Sequence, residues 1–284
     1  MEQRKVGVLP GDDAANGWLK MLAPRQPRPP LAGDRTADWL VIGAGYAGLA
    51  AARRLAETRP AERIILLEAQ AIGEGAAGRN SGFAIDVPHN VGSSLEELEG
   101  SNRFLRLSRA ATEHLDSLVQ RHGIACDWSR IGKFHAAVSP AWTRKILEPF
   151  ARELEALGES YRWYDHAALA REIGTTYYNA AVYTPGGALM NPAALVRGLA
   201  DSLPENVLLC ENSPVTAIDY SNGIRVETQA GSVQAPRLIL ATNGFAPHFG
   251  FFKRRLISLA AYASLSRPLT DSERQALGAG ANGD

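Results

Sequence analysis

Three glycines in the stretch Gly43–Gly48 lie between an apolar segment and an alanine-rich one, and this arrangement constrains the fold more than any other feature. Ala37–Ile42 is a short apolar run that ends at a glycine, which is typical of a buried strand. Tyr46–Thr58 is rich in alanine and has leucines on one face, which predicts a helix packed on a sheet. Arg63–Leu67 is a second apolar run. These segments predict a βαβ unit of about 30 residues, and therefore an α/β fold with a parallel sheet.

The glycine spacing is GxGxxG, and an acidic residue, Glu68, stands at the end of the second predicted strand. Gly43 permits the tight turn, Gly45 lets a pyrophosphate approach the backbone, and Gly48 lets the helix pack closely. The helix N-terminus adds free N–H groups and a partial positive charge. Glu68 can accept hydrogen bonds from a ribose, and it repels a 2′-phosphate, which disfavours NADP. The pattern predicts a dinucleotide site, for which NAD and FAD both remain open.

A second glycine-rich stretch follows Glu68, and it contains Gly73, Gly75, Gly78 and Gly82. Glycine permits unusual φ values and a close approach of the backbone to a ligand. The larger residues of this stretch, Arg79, Asn80 and Phe83, are not those of a simple flexible linker. We interpret the loop as lying against a cofactor that continues past the pyrophosphate, which favours FAD over NAD.

The remaining chain predicts further elements. Residues 1–36 are expected to form an extension with little regular structure, a strap over the domain surface, because the prolines between Pro24 and Arg35 oppose a helix. Leu95–His122 predicts a long helix with Phe104, Leu107, Ala111, Leu115 and Leu118 on its apolar stripe, and Arg237–Ala241 predicts a strand that rejoins the first sheet. Other expected helices are Trp142–Leu157, His166–Ile173 and 193–203, and other expected strands are Lys133–Val138, Ala181–Thr184, Val207–Cys210, Val215–Tyr220, Gly223–Glu227 and Ser232–Gln234.

Composition excludes several classes of partner. The 284 residues carry 30 basic and 30 acidic side chains, so no basic field favours nucleic acid or an anionic membrane. No apolar segment approaches the roughly 20 residues that span a bilayer, and the N-terminus lacks the pattern of a secretory signal, so we expect a cytoplasmic protein. Cys126 and Cys210 are interpreted as buried reduced thiols. The six histidines are not at metal-ligand spacings, so no metal site is expected.

The most specific motif is Gly75-Ala76-Ala77-Gly78-Arg79-Asn80-Ser81-Gly82. With Gly43–Gly48 and Glu68, it resembles the FAD-dependent amine and amino-acid oxidoreductases of the D-amino-acid oxidase superfamily. The nearest branch contains glycine oxidase, sarcosine oxidase and γ-glutamylputrescine oxidase, where a serine is usual at the position of Ala77. Supporting segments are Gly132–His135, Gly187–Pro192 and Ala241–Gly244, so that the resemblance covers most of residues 37–250.

The resemblance implies that FAD is the cofactor. The implied FAD contacts are Gly43, Ala44, Gly45 and Gly48 at the pyrophosphate, Glu68 at the adenosine ribose, Gly78, Arg79, Asn80, Ser81 and Gly82 along the flavin side, Val215 at the adenine through its backbone, and Thr242 and Gly244 near the pyrophosphate.

The implied domains follow the same pattern. Residues 37–90 and 191–250 are expected to form a Rossmann-like FAD-binding domain, and residues 91–190 an interleaved α+β substrate or cap region. Residues 251–284 are expected to begin a further substrate-domain segment.

The implied reaction is oxidation of a C–N bond in a small-molecule amine or amino acid, by hydride transfer to flavin N5 and hydrolysis of the imine. Because the cofactor performs the hard step, the protein's task is to orient the substrate and exclude water. The sequence requires no particular residue as a general base, and the catalytic residues stay unassigned. His135 is expected to be a packed strand histidine rather than a substrate contact, and His89 is an equally open candidate.

The chain departs from the family's pattern after Ser264–Leu269. Thr270–Glu273 resembles a capping box, but the further strands and the second glycine-rich segment of the family do not follow. We therefore expect a fold that is incomplete at its C-terminus and that a second polypeptide could complete. Two alternatives stay open, namely a flavin-binding fragment or subunit that requires a partner and, less favoured, an NAD-dependent dehydrogenase.

Overall fold

A computed structural model describes residues 4–11, 15–87, 98–257, 259 and 261–276 of the chain, with side chains of the long helix described from residue 102 onward. The chain divides into two compact units. The first comprises the described residues of Met1–Ser81, Leu118–Cys126 and Asn191–Ala263, and the second those of Gly82–Ser117, Asp127–Met190 and Ser264–Asp284. The domain boundaries expected from the sequence stay predictions.

The described residues form both strands and helices, and the last five strands follow one another without a helix between them. The strands are β1 (Arg4–Lys5), β2 (Gly33–Thr36), β3 (Trp39–Ile42), β4 (Ile64–Leu67), β5 (Phe83–Ala84), β6 (Lys133–Ala137), β7 (Arg162–Asp165), β8 (Ala180–Thr184), β9 (Ala188–Leu189), β10 (Val207–Cys210), β11 (Val215–Asp219), β12 (Ile224–Thr228), β13 (Gly231–Ala235) and β14 (Leu238–Leu240). The helices are α1 (Gly17–Lys20), α2 (Tyr46–Thr58), α3 (Leu98–His122), α4 (Pro140–Trp142), α5 (Glu148–Ala156), α6 (His166–Ile173), α7 (Pro192–Asp201) and α8 (Asp271–Ala276). Ala76–Gly78 and Asn243–Phe249 form 3₁₀ helices, and Thr143–Leu147 forms a π-helical segment.

The first unit is built on a parallel sheet with the strand order β10-β4-β3-β14. All four residues of β4 are buried, as expected for an inner strand covered on both faces. Strand β14 lies beside β3, which confirms that a late apolar run rejoins the first sheet. The strand order therefore changes direction between β3 and β14, and in such sheets ligands bind outside the carboxyl ends of the strands at this point.

An antiparallel sheet faces the parallel one across the core of the first unit. Its strand order is β1-β11-β12-β13-β2, in which the β13–β2 pair is parallel. Buried side chains from both sheets form one apolar cluster, which includes Leu40, Ile65, Ile218 and Val226. Burial of such side chains is the main favourable term in folding.

Regular structure in the described part of residues 1–36 is confined to three short elements, as expected, but the segment does not merely lie over the domain surface. This segment forms β1, α1 and β2, and its Leu31 is buried in the core of the first unit. All four residues of Gly33–Thr36 are exposed, and those after Gly33 are polar, so the strand carries no alternating apolar pattern. The strand forms because its backbone pairs with β13, and backbone pairing does not require apolar side chains.

The second unit contains a three-stranded antiparallel sheet with the order β6-β8-β7 and a short pair of β5 with β9. Its core is an apolar cluster that includes Leu105, Leu147, Phe150 and Val182. The ring of His135 stacks on Phe150 with a centroid distance of 4.6 Å, in the manner of a packed strand histidine. Strand β7 was not expected from the sequence, and His89 lies outside the described residues.

The expected apolar stripe of the long helix is wrong for its first half. Phe104, Leu107 and Ala111 are exposed, whereas Leu105 and Thr112 are buried. The helix is rotated so that Leu105 enters the core of the second unit beside Phe150. Sequence periodicity alone did not distinguish these two neighbouring faces.

Other expectations concern membranes, metals and thiols. Every helix in the described part of the chain is too short or too polar to cross a bilayer. The described His, Cys, Asp and Glu side chains form no group of three suited to a metal ion. Cys126 and Cys210 are both buried free thiols.

Candidate functional site

The turn after β3 begins at Gly43, at the carboxyl end of the parallel sheet. Gly43 has a φ of +98° and donates its N–H to the carbonyl oxygen of Leu67 over 2.8 Å. A Cβ at this position would lie 2.6 Å from the carbonyl oxygen of Ala241, the residue that follows β14. The turn therefore requires glycine both for its backbone conformation and for its approach to the neighbouring strand.

Gly48 and Gly45 are glycines for different reasons. A Cβ at Gly48 would overlap the carbonyl oxygen of Gly43, so this glycine allows α2 to pack on the turn. A Cβ at Gly45 would instead find its nearest neighbour, Ala77 Cβ, at an ordinary distance of 3.6 Å. The protein itself does not require glycine at Gly45. A residue without a Cβ fits there if a ligand comes close to the backbone.

Gly45 is also the N-cap of α2, and it has no side chain with which to cap the helix. The N–H groups of the first helical turn and the helix dipole therefore face the space beyond Gly45. Such a helix start is an anion site, because backbone donors and a partial positive charge point the same way.

Glu68 stands at the end of β4, next to this turn. Its carboxylate accepts the N–H of Ala44 over 2.7 Å and the N–H of Gln70 over 3.1 Å. Burial raises the pKa of Glu68, and these backbone hydrogen bonds oppose the shift. Each carboxylate oxygen keeps further acceptor capacity, so the group can still accept hydrogen bonds from a ribose.

A cavity of about 760 Å³ lies in the first unit at the carboxyl ends of β3 and β14. Eight of the residues predicted from the sequence line this cavity: Gly43, Ala44, Gly45, Glu68, Asn80, Val215, Thr242 and Gly244. No lysine or arginine is among its lining residues in the described part of the chain, so at the glycine turn the backbone N–H groups are the donors nearest to a bound anion. The hydroxyl oxygen of Thr242 is buried and has no hydrogen-bond partner among the described residues. An unpaired buried hydroxyl on a cavity wall is a position for a polar ligand atom.

The other predicted contacts lie elsewhere in the loop or the helix. Gly48, Gly78, Arg79, Ser81 and Gly82 are not among the residues that line the cavity. A Cβ at Gly78 would overlap the carbonyl oxygen of Gly73, so its glycine serves the folding of the loop. The Arg79 side chain donates to the carbonyl oxygen of Glu74 over 2.6 Å, within the loop rather than into the cavity.

Sequence reasoning missed one wall of the cavity. Val6, Val8, Leu9 and Pro10 line it, although they precede the nearest motif by more than 30 positions. Strand β1 places them there by pairing with β11, and the N–H of Val6 donates to the carbonyl oxygen of Thr216 over 2.9 Å. A two-residue strand carries no readable pattern, so no sequence signal identifies this wall.

Comparison with known proteins adds to this geometry. Residues 38–282 match the family described as FAD dependent oxidoreductase. The chain is 30% identical over 220 residues to the γ-glutamylputrescine oxidoreductase of Escherichia coli (strain K12), a match that covers 74% of this chain and 50% of that protein. It is 26% identical over 256 residues to the probable oxidoreductase OrdL of Haemophilus influenzae, covering 86% and 58%.

The fold is similar to the crystal structure of glycine oxidase from Geobacillus kaustophilus. The TM-score is 0.64 at 22% sequence identity, and the match covers 76% of this chain and 58% of that one. The chain thus spans between half and three fifths of the length of the relatives it matches.

Proposed function

The chain belongs to the FAD dependent oxidoreductase family, and we propose that it binds FAD in the cavity of the first unit and acts in the oxidation of a C–N bond of an amine or amino acid. The observation that carries the FAD placement is the glycine turn at the start of α2. The space beside Gly45 that a side chain could occupy is empty of protein atoms. The free N–H groups at the start of α2 face this space.

The proposed placement assigns one part of FAD to each group of residues. The backbone of Gly43, Ala44 and Gly45 would hold the pyrophosphate at the helix N-terminus. Backbone N–H groups can bind an anion there without help from an arginine or lysine side chain. Glu68 would accept the ribose hydroxyls. Val215 would contact the adenine through its backbone. Thr242 would offer its unpaired hydroxyl to the cofactor.

The loop at residues 73–80 would border the more distant part of the cofactor. Gly73, Gly75, Ala76, Ala77 and Asn80 line the cavity, so this backbone lies where a cofactor longer than a mononucleotide would continue. The carbonyl oxygen of Ala77 already accepts a hydrogen bond from the Asn80 side chain over 2.7 Å.

FAD, when bound, supplies the hydride acceptor for this chemistry. The residues of the chain would orient the cofactor, and the glycine turn and Glu68 would hold its adenosine end. The C–N substrate class is supported by the similarity to the E. coli relative, which is a γ-glutamylputrescine oxidoreductase. A cytoplasmic location, favoured by the two free thiols, is part of the proposal.

A second candidate function is that of a flavin-binding subunit that requires another polypeptide for turnover. Strand β14 is at the edge of the parallel sheet, and Leu238, Ile239 and Leu240 are each partly exposed. An apolar edge strand is a pairing site for a further strand.

The deciding experiment is the visible absorption spectrum of the purified chain after reconstitution with FAD, followed by anaerobic addition of single amines and amino acids. We expect a yellow protein that one substrate class bleaches. A yellow protein that none of them bleaches would favour the subunit. A colourless protein that binds NAD and not FAD would reject the proposal.

A further inference from the structure

Asn16, in the N-terminal segment, is buried and bonded to the glycine-rich loop far along the chain. Its side chain is 5% exposed. Its Nδ2 donates to the carbonyl oxygen of Gly73 over 2.8 Å and to that of Gly78 over 3.2 Å. These two carbonyl groups lie at opposite ends of the loop, so one amide group holds the loop closed.

The same side chain organises the short helix that follows it. Asn16 Oδ1 accepts the N–H groups of Trp18 and Leu19 over 3.1 and 3.3 Å, and thereby caps α1. The indole N–H of Trp18 then donates to the carbonyl oxygen of Asn80 over 3.0 Å. The helix thus contacts the loop at a third carbonyl group.

Further along, the N-terminal segment is anchored to Glu211, a carboxylate with no exposed side-chain surface. The Arg25 guanidinium donates to both of its oxygens, over 2.7 and 3.0 Å. The N–H of Ile72, the residue before the loop, donates to the same carboxylate over 2.8 Å. The N-terminal segment, through Arg25, and the start of the loop, through Ile72, are therefore bonded to the same buried carboxylate.

We propose that residues 16–25, here called the brace, hold the loop in the shape that receives FAD, and that Asn16 is a positioning residue for cofactor binding. The inference rests on the proposed placement of FAD. A loop with glycines at positions 73, 75 and 78 loses much conformational freedom when it is ordered. If the brace orders the loop before FAD binds, a larger fraction of the ligand-free molecules has the loop in its binding conformation. The apparent affinity for FAD rises with this fraction.

The test uses Asn16→Asp in the full chain. An aspartate keeps the oxygen that caps α1 but replaces the donor by an acceptor that repels the carbonyl groups of Gly73 and Gly78. We expect the Kd for FAD, measured by quenching of flavin fluorescence, to rise about tenfold. In the ligand-free protein, hydrogen exchange across residues 73–80 is expected to accelerate.

Asn206→Asp is the matched control. The half-buried side-chain amide of Asn206 also donates to backbone carbonyl oxygens, those of Ala56, Arg59 and Glu62, over 3.5, 3.4 and 3.1 Å, and these partners lie outside the glycine-rich loop. We expect this variant to keep the wild-type Kd and the wild-type exchange of the loop. If Asn16→Asp folds poorly, Trp18→Phe removes one loop contact and keeps an aromatic ring, with an expected rise in Kd of about threefold.

The outcomes separate the brace from the FAD placement. Wild-type Kd and wild-type exchange in both Asn16→Asp and Trp18→Phe would overturn the brace, as would equal effects in Asn16→Asp and Asn206→Asp. If the wild-type chain binds no FAD, the placement fails, and the exchange of the loop in the ligand-free variants still decides whether the brace orders it.

Discussion

Gly45 differs from its neighbouring glycines in what surrounds it, and this difference can be tested. Because a Cβ at Gly45 would meet Ala77 only at 3.6 Å, Gly45→Ala should fold with a melting temperature close to that of the ligand-free wild type. It should raise the Kd for FAD about tenfold or more, since the new methyl group would occupy the space proposed for the pyrophosphate. Equilibrium titration and thermal melts would measure the two effects.

Two other glycines provide controls for this experiment. Gly48→Ala forces a methyl group into the carbonyl oxygen of Gly43 and should destabilise the ligand-free fold by about 1–3 kcal/mol. Gly11→Ala has no atom within 4 Å of its new Cβ and should change neither property. Unchanged FAD affinity in Gly45→Ala would contradict the placement of the pyrophosphate.

Glu68 predicts how FAD binding depends on pH. The ionised carboxylate would accept the ribose hydroxyls, so its protonation should weaken binding. Because burial raises the pKa of Glu68, affinity should begin to fall at a higher pH than for an ordinary glutamate. Glu68→Gln should bind FAD more weakly at neutral pH and lose this dependence. An identical pH profile in the two proteins would show that another group titrates.

The burial of Lys133 in the second unit is expected to make the free energy of unfolding depend on pH. It is 7% exposed, and burial lowers its pKa from 10.5 to about 8, while Asp86 opposes the shift. Since the folded state releases this proton at a lower pH than the unfolded chain, the free energy of unfolding should rise between pH 8 and 10.5 by up to about 1.4 kcal/mol per pH unit. Lys133→Met should remove this rise and stabilise the protein at pH 7. Denaturant titrations at several pH values would test both, and a slope retained in Lys133→Met would contradict the assignment.

At the scale of elements, strand β1 positions the apolar residues that form one wall of the cavity, and deleting the first residues of the chain would remove that wall. A chain that starts at Gly11 would lack Val6, Val8, Leu9 and Pro10 from the cavity lining. We expect its Kd for FAD to rise about fivefold, because apolar contact and water exclusion are lost. The double variant Arg4→Ala, Lys5→Ala keeps this wall and removes two charges. A loss of affinity in the double variant equal to that in the deletion would show that charge, and not the apolar wall, matters.

The elements also show which parts of the fold could be predicted. Tyr46–Thr58, His166–Ile173 and Val207–Cys210 form as expected, because each has a side-chain pattern of the right period. Strand β2 could not be predicted, since its exposed residues carry no apolar alternation and it is the pairing of its backbone with β13 that makes it a strand. The exposed face of α3 was misassigned because its sequence carries apolar residues on two adjacent faces, and only packing against Phe150 selects one.

At the scale of the whole molecule, the candidate site was predictable where a single residue type is required by backbone geometry. Gly43, Gly45 and Gly48 are recognisable since no other residue satisfies those positions with a ligand present. Asn16 was not recognisable, because its partners are 57 and 62 positions away and only the fold brings them together. The Thr242 hydroxyl is likewise identified by its unpaired burial rather than by any motif.

The division into two units predicts that FAD stabilises them unequally. All residues that line the cavity belong to the first unit. A ligand that binds only the folded state adds about 2.7 kcal/mol at a free concentration 100 times its Kd. Hydrogen exchange should therefore slow in β3, α2, β4 and β14 when FAD is added, and change less in the sheet formed by β6, β8 and β7. Gly45→Ala should remove the slowing at the same FAD concentration. Uniform slowing across both sheets in the wild type would contradict this prediction and show that the two units unfold as one.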